Sequence, residues 1–124
     1  MTGTNLFLDT NAFIYFFEGR PKMGTLVSRT PILYFSPVTQ IELLSARHLA
    51  ESELRQIQSF LMLCQSVNLD HQIVDQAILL RRTYSLKTPD AIVAGSAMML
   101  GVPLVSADQS LQRVHGLSLI SDIL

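Results

Sequence analysis

Apolar residues occur along this chain in two kinds of pattern. Short continuous apolar runs predict buried strands at residues 5–8, 32–35, 66–69, 103–106 and 117–120. Longer segments, in which apolar residues recur every three or four positions, predict helices at residues 11–18, 38–48, 50–64, 71–84, 88–100 and 108–114. Gly19 and Pro21 end the first helix, and no element is predicted for residues 22–31.

The alternation of strands and helices indicates the fold class. Each strand is an almost continuous apolar run, as expected where helices cover both faces of a parallel sheet. We therefore predict an α/β fold, a three-layer α/β/α sandwich with a mostly parallel sheet of about five strands, as one domain over residues 1–124. In such a sheet, functional sites lie beyond the carboxyl ends of the strands.

Several helices carry features that can be checked individually. The segment FIYFF at residues 13–17 places aromatic rings all round its helix, so part of it should meet a neighbouring chain or element. Asp70 is predicted to cap helix 71–84, and Thr88, followed by Pro89, to cap the next helix. The inward positions predicted for helix 71–84 are Ile73, Val74, Ala77, Ile78 and Leu80.

The composition adds an expectation of association. The chain is 48% apolar and 15% charged, compared with about 25% charged in typical domains, so apolar surface and a homo-oligomer or protein partner are expected. The net charge of −1 does not itself indicate nucleic-acid binding. Gly101 and Pro103 interrupt the uncharged stretch 91–107, so no membrane span is predicted. Cys64 is interpreted as a small core residue.

Four carboxylates stand at or near the starts of predicted helices, and three of them follow strands. Asp9 follows the first strand, Glu42 comes shortly after the second, and Asp108 follows the fourth. Asp90 lies in the first turn of the helix that Thr88 opens. If the topology is as predicted, Asp9, Glu42 and Asp108 lie at the same end of the sheet.

Each carboxylate also has an ordinary structural explanation. Asp9 could be a helix-terminal acid or cap, although Thr10 and Asn11 could cap the first helix equally well. The alternative for Glu42 is a capping box with Thr39. The alternative for Asp108 is a first-turn helix acid, in a helix that Ser106 could cap with Gln109 completing a box.

Asp90 is harder to explain structurally, because the face it shares with Val93, Ala94 and Ala97 is apolar. No basic residue lies between Asp90 and Arg113, so a compensating charge must come from elsewhere in the fold or from a metal. Carboxylates that are brought together repel unless a cation joins them, and Mg²⁺ or Mn²⁺ prefers such oxygen ligands.

Four segments resemble the motifs of PIN-domain proteins, in particular VapC-type toxin ribonucleases of bacterial toxin–antitoxin pairs. They are FLDTNAFI at residues 7–14, SPVTQIELL at 36–44, TPDAIVAGSA at 88–97 and PLVSADQSL at 103–111. Their order and spacing match over essentially the whole chain. The family's fourth motif often reads T-x-D-x-D-F, so this chain lacks its second acid and has Leu111 in place of the aromatic residue.

The resemblance implies a Mg²⁺- or Mn²⁺-dependent endoribonuclease that is cytoplasmic, homodimeric and inhibited by an antitoxin. It implies a catalytic and metal-binding quartet of Asp9, Glu42, Asp90 and Asp108, supported by Thr10, Asn11 and Ser106. With the quartet set aside, nine basic residues face six acidic ones. Candidates for contacts with RNA phosphates, each with solvated surface as the alternative, are Arg20, Lys22, Arg81, Arg82 and Lys87.

Other classes with strand-end acids fit less well. A haloacid-dehalogenase-type phosphotransferase needs a second Asp where Asn11 stands, and a receiver domain needs a late Lys, but none follows Lys87. The remaining alternative is a catalytically weak PIN-like module that binds protein or RNA without cleaving it.

Overall fold

Five short strands form the centre of the structure, a computed structural model that describes residues 3–124. Every neighbouring pair is parallel, and the order is β3-β2-β1-β4-β5. This confirms the predicted α/β fold. The strands are β1 (Leu6–Leu8), β2 (Leu33–Phe35), β3 (Gln65–Ser66), β4 (Leu104–Val105) and β5 (Leu119–Ile120).

Helices connect these strands and cover both faces of the sheet. A 3-10 helix (Gln109–Arg113) takes the place of the predicted helix 108–114. The α-helices in the described part of the chain are α1 (Thr10–Phe17), α2 (Pro21–Arg29), α3 (Pro37–Leu44), α4 (Glu51–Leu63), α5 (His71–Tyr84) and α6 (Thr88–Leu100).

The alternation of β1 side chains divides the core into two layers. Leu6 and Leu8 pack in one cluster with residues of α1 to α4. Phe7 points to the opposite face and packs with α5, α6 and the 3-10 helix. All three side chains are at most 2% exposed, so β1 is held rigidly from both sides.

Helix α2 has no counterpart among the predicted elements. Pro21 occupies the first helical position, which suits its fixed φ, and Met23, Leu26 and Val27 follow at helical spacing. Met23 is fully buried, and the other two pack against the same cluster. Gly24 and Thr25 are poor helix formers, which obscured this amphipathic pattern.

Several predicted boundaries are wrong. Helix α3 ends at Leu44 rather than at residue 48, and a turn then brings Leu49 onto the core. Strand β3 stops at Ser66 because its partner β2 ends at Phe35. Leu69, predicted at the end of that strand, is 48% exposed.

Helix α5 buries a narrower stripe than predicted. Ile73, Ala77 and Leu80 are buried as expected. Val74 and Ile78, predicted to face inward, are 36% and 53% exposed because they lie one position round the helix from that stripe. These exposed apolar residues agree with the expectation of apolar surface.

The aromatic residues of α1 meet a neighbouring element of the same chain. The ring of Phe60 in α4 lies 6.2 Å from Phe13, 4.7 Å from Phe16 and 5.6 Å from Phe17, measured between centroids. Phe13 is fully buried. Edge-on and tilted arrangements of this kind stabilise aromatic clusters.

The helices of residues 3–124 can be compared with the length and hydropathy that a membrane span needs. Among the described residues, none is both long enough and apolar enough to span a membrane.

Candidate active site

The carboxyl ends of β1 and β4 meet at the point where the strand order reverses. β2 and β3 lie on one side of β1, and β4 and β5 lie on the other, which is where open α/β sheets form their sites. Leu8 pairs with Val105, so Asp9 and Ser106 directly follow the paired ends. The backbone N–H of Asp9 donates to the Val105 carbonyl at 3.2 Å.

Asp9 is both the N-cap of α1 and a member of this junction. Its Oδ1 accepts a hydrogen bond from the Ala12 N–H at 2.8 Å. The prediction that Thr10 or Asn11 could cap the helix equally well is therefore wrong, because the first turn starts one residue earlier. Asn11 is exposed. The cap uses one carboxylate oxygen, which leaves the second for other ligands.

Glu42 does not belong to the predicted capping box. Helix α3 starts at Pro37, and its N-cap is Ser36, whose hydroxyl accepts from the Val38 N–H at 3.2 Å. Glu42 therefore lies in the second turn, where a hydrogen bond from the Thr10 hydroxyl holds its Oε1. This bond connects Glu42 to the residue that follows Asp9.

Asp108 caps the 3-10 helix, and the predicted box of Ser106 with Gln109 is wrong. Its Oδ1 accepts from the N–H of Ser110 at 2.9 Å and from the Ser110 hydroxyl at 2.8 Å. Ser110 stands where the PIN motif often has its second acid, so a donor here replaces a like charge. Ser106 is fully buried, and its hydroxyl accepts from the Asp108 N–H at 3.1 Å.

Asp90 lies in the first turn of α6, as predicted, but Thr88 is not the N-cap. The cap position belongs to Lys87, and its side chain makes no capping bond. The Thr88 hydroxyl instead accepts from the guanidinium of Arg81 at 2.8 Å. Asp90 is half-buried, whereas Ala91 beside it is fully buried.

The pKa of Asp9 is raised in the folded protein. Burial is the largest cause, and the carboxylates of Asp90 and Asp108 raise the pKa further. Hydrogen bonding with the Ser106 side chain and the Ala12 N–H opposes this rise. Asp9 is therefore close enough to both carboxylates for their charges to act on it.

The pKa of Asp90 is also raised, first by burial and then by the charge of Asp108, with a smaller contribution from Glu42. Lys87 acts in the opposite direction. Lys87, three residues before Asp90, thus supplies part of the compensating charge that the sequence did not identify. Two of the four predicted acids, Asp9 and Asp90, therefore have raised pKa values, and the charges of the other two contribute to them.

The four acids have the donor chemistry that a hard divalent cation prefers. Within residues 3–124, no three Asp, Glu, His or Cys side chains are arranged closely enough to hold a metal ion as they stand. The four acids nevertheless offer only oxygen ligands, which Mg²⁺ and Mn²⁺ prefer. A cation would also offset the repulsion that raises two of their pKa values. All three histidines are exposed, so they do not compete with this all-oxygen set.

The predicted phosphate-binding cations are only partly grouped near the acids. The charge of Lys87 lowers the pKa of Asp90, which places this cation beside the site. Arg20 pairs with Glu18 at 3.1 Å, and Lys22 pairs with Asp122 at 2.6 Å, both on exposed surface.

Cys64 behaves as the sequence predicted. Its thiol donates to the Phe60 carbonyl at 3.4 Å, and burial raises its pKa to about 11. A thiol with this pKa is protonated at neutral pH and is a poor nucleophile.

A family model described as PIN domain matches residues 6–117. The chain belongs to the PIN domain family. The predicted family resemblance is therefore confirmed, and this PIN domain has the acids at the strand junction described above. A search of curated protein sequences gave no significant match.

Solved structures share the fold of this PIN domain. A chain of a toxin–antitoxin complex from Klebsiella pneumoniae superposes with a TM-score of 0.80 at 23% identity, covering 93% of this chain and 95% of that one. A chain of DNA-bound VapBC from Salmonella typhimurium gives 0.79 at 21%, covering 94% and 97%. VapBC2 from Rickettsia felis, bound to a promoter DNA fragment, gives 0.79 at 18%, covering 94% and 98%. At identities this low, the superpositions establish the shared fold alone.

Replacing Asp9 with Asn should stabilise the metal-free protein at neutral pH. Asn caps a helix as well as Asp does, whereas the substitution removes a charge that burial and two carboxylates oppose. The folded-state pKa of Asp9 is raised, so the folded protein holds the Asp9 proton more tightly than the unfolded chain does. This stabilises the fold fully below the ordinary Asp pKa, and the stabilisation is lost as the pH rises through the raised pKa. Thermal unfolding as a function of pH should show the Asp9→Asn variant gaining stability relative to wild type over that rise.

Asp70→Asn provides the matched control. Asp70 caps α5 in the same way, with Oδ1 accepting from the Ile73 N–H at 2.9 Å, but it is exposed. Its substitution removes a cap carboxylate that is not buried, so it should not produce the gain in Tm at neutral pH that is expected for Asp9→Asn. A less stable Asp9→Asn protein at neutral pH would contradict the electrostatic interpretation.

Arg81 supports the loop between α5 and α6, which leads to Asp90. Its Nε donates to the Leu86 carbonyl at 3.0 Å, and Nη1 donates to the Thr88 hydroxyl. Arg81→Ala should therefore lower the free energy of unfolding by about 1–2 kcal/mol. Arg82→Ala, on an exposed neighbour, should change it by less than about 0.5 kcal/mol. Equal losses in denaturant titrations of the two variants would refute this role of Arg81.

Proposed function

We propose that this PIN domain is a VapC-type toxin ribonuclease, a metal-dependent enzyme that hydrolyses RNA phosphodiester bonds. The observation that carries the proposal is the electrostatic coupling of four carboxylates at the switch point of the sheet. The fold shared with chains of VapBC and other toxin–antitoxin complexes supports the toxin assignment.

Asp9 and Asp90 would hold a Mg²⁺ or Mn²⁺ ion, with Glu42 and Asp108 completing the ligand set directly or through water. Such an ion supplies two effects when bound: it lowers the pKa of a bound water and offsets charge on the scissile phosphate. Asp9 and Asp90 are assigned the central role because burial and neighbouring carboxylates raise the pKa of both, which a bound cation would oppose.

The chain's own residues prepare this site before substrate arrives. Asp9 is fixed by its backbone bond to β4 and by its cap bond. Thr10 orients Glu42, and Ser110 orients Asp108. Carboxylates oriented in advance would lower the cost of reorganisation during the reaction. In that reaction a water oxygen would bond to phosphorus while the bond to the leaving oxygen, in line with it, breaks.

RNA binding would depend on cations around this acidic centre. Outside the four carboxylates, nine basic residues face six acidic ones, and a bound divalent cation would offset part of the quartet's own charge. Lys87 is best placed to contact a phosphate next to the scissile bond because it lies beside Asp90. Arg20, Lys22 and Arg82 would contact phosphates further away, and affinity should fall with salt.

The groove beside Glu42 is a suitable binding site for an antitoxin. The groove has a volume of about 340 Å³ and a floor that includes Phe17, Leu43 and Ile57. Glu18, Glu42 and Glu53 line it as well. An apolar groove bordered by acids suits a partner segment that carries both apolar and basic side chains.

The toxin assignment also implies that the protein is a homodimer and is cytoplasmic. Large apolar side chains exposed on α5 and α6 support self-association, since apolar surface usually marks an interface. They include Ile78, Leu79, Met99 and Leu100, each at least 40% exposed.

The alternative is a PIN-like module that binds protein or RNA without cleavage. The absent second acid in the fourth motif, where Ser110 stands, is the observation that favours it. Metal titration by calorimetry separates the two functions, because a non-cleaving module needs no metal.

Cleavage of structured RNAs tests the proposed function. Wild type should cut with Mn²⁺ and stop with EDTA. Mutating a residue that only supports a metal ligand typically lowers metal affinity or activity about 10- to 100-fold. Losing a ligand itself, in Asp9→Asn or Asp90→Asn, should therefore lower the cleavage rate at least about 100-fold. Asp70→Asn should cut as wild type does. Undiminished cutting by either ligand variant would rule out this mechanism.

A further inference from the structure

Thr39 is a fully buried residue of α3 whose hydroxyl reaches another helix. Its Oγ1 lies 3.0 Å from Oγ1 of Thr10, at the start of α1. A hydroxyl inside a helix commonly bonds to a carbonyl one turn back. Ser96 does so here, donating to the Ile92 carbonyl at 2.7 Å. Thr39 is therefore directed toward the candidate active site.

The chemistry of the partners fixes the direction of the protons. The Thr10 hydroxyl has one proton and contacts both Thr39 and Oε1 of Glu42. An ionised carboxylate only accepts hydrogen bonds, so Thr10 donates to Glu42. Thr39 must then donate to Thr10. The result is a hydrogen-bond chain from Thr39 through Thr10 to Glu42.

This chain connects two elements of the site. Thr39 and Glu42 are three residues apart in α3 and lie on one face of it. Both reach Thr10, which follows Asp9 directly. Glu42 is exposed, and an exposed Glu without such a contact would sample several rotamers.

We propose that Thr39 is a positioning residue that, through Thr10, orients the Glu42 carboxylate toward the divalent cation. The inference rests on the proposed function, since it assigns Glu42 to the metal site. Thr39 itself touches neither metal nor substrate. The sequence conceals this role because Thr39 and Glu42 also match a capping box, which the structure shows to be absent.

Removing the Thr39 hydroxyl should weaken metal binding while leaving the fold intact. Thr39→Val keeps the shape of the side chain, and calorimetry should show the metal-free protein binding Mn²⁺ about 10-fold more weakly than wild type. Thr39→Ala should show the same loss. Thr39→Ser retains the hydroxyl and should stay within about twofold of wild type. Ser96→Ala, a buried helical hydroxyl with a backbone acceptor, should also bind as wild type does.

A double-mutant cycle distinguishes positioning from a general structural effect. If Thr39 acts only through Thr10, the Thr10→Val/Thr39→Val protein should bind Mn²⁺ as Thr10→Val alone does, within about twofold. Additive losses in the double variant would overturn the proposal. So would unchanged Mn²⁺ affinity in both Thr39→Val and Thr39→Ala.

The failure of this inference is distinguishable from failure of the proposed function. If wild type binds no Mn²⁺ and cuts no RNA, the proposed function is wrong and the positioning role fails with it. If wild type binds Mn²⁺ but Thr39→Val and Thr39→Ala bind it equally well, only the positioning role is wrong.

Discussion

Repulsion among carboxylates at the carboxyl edge of the sheet is the constraint on which the rest of the site depends. Asp9 follows a strand that the core holds from both faces, so it cannot move away from Asp90 and Asp108. The protein keeps acids where their charges cost free energy. A divalent cation bound among these acids would offset the repulsion and so relieve that cost.

Local hydrogen bonds make this arrangement possible. Asp9 and Asp108 each cap a helix, and Thr10 holds Glu42 to the same junction. The structural and functional explanations of these acids are therefore compatible, since capping occupies one oxygen and fixes the direction of the other.

The sequence predicted the alternation of strands and helices along the chain, because buried parallel strands are continuous apolar runs. It therefore also predicted the edge of the sheet at which Asp9 and Asp108 lie. It could not predict α2, whose weak helix formers depend on burial of Met23 for stability. It also placed the first turns of α1 and α3 incorrectly, since several adjacent residues can cap. Only the packing of α3 against α1 shows that Thr39 meets Thr10.

The position of a bound Mn²⁺ ion is the most direct test of this account. Crystals of the protein with Mn²⁺ should give an anomalous difference peak among Asp9, Glu42, Asp90 and Asp108. The Glu42 carboxylate should still accept the Thr10 hydrogen bond in that state. A peak elsewhere on the protein, or no peak in crystals whose Mn²⁺ concentration supports RNA cleavage, would contradict the assignment of these acids.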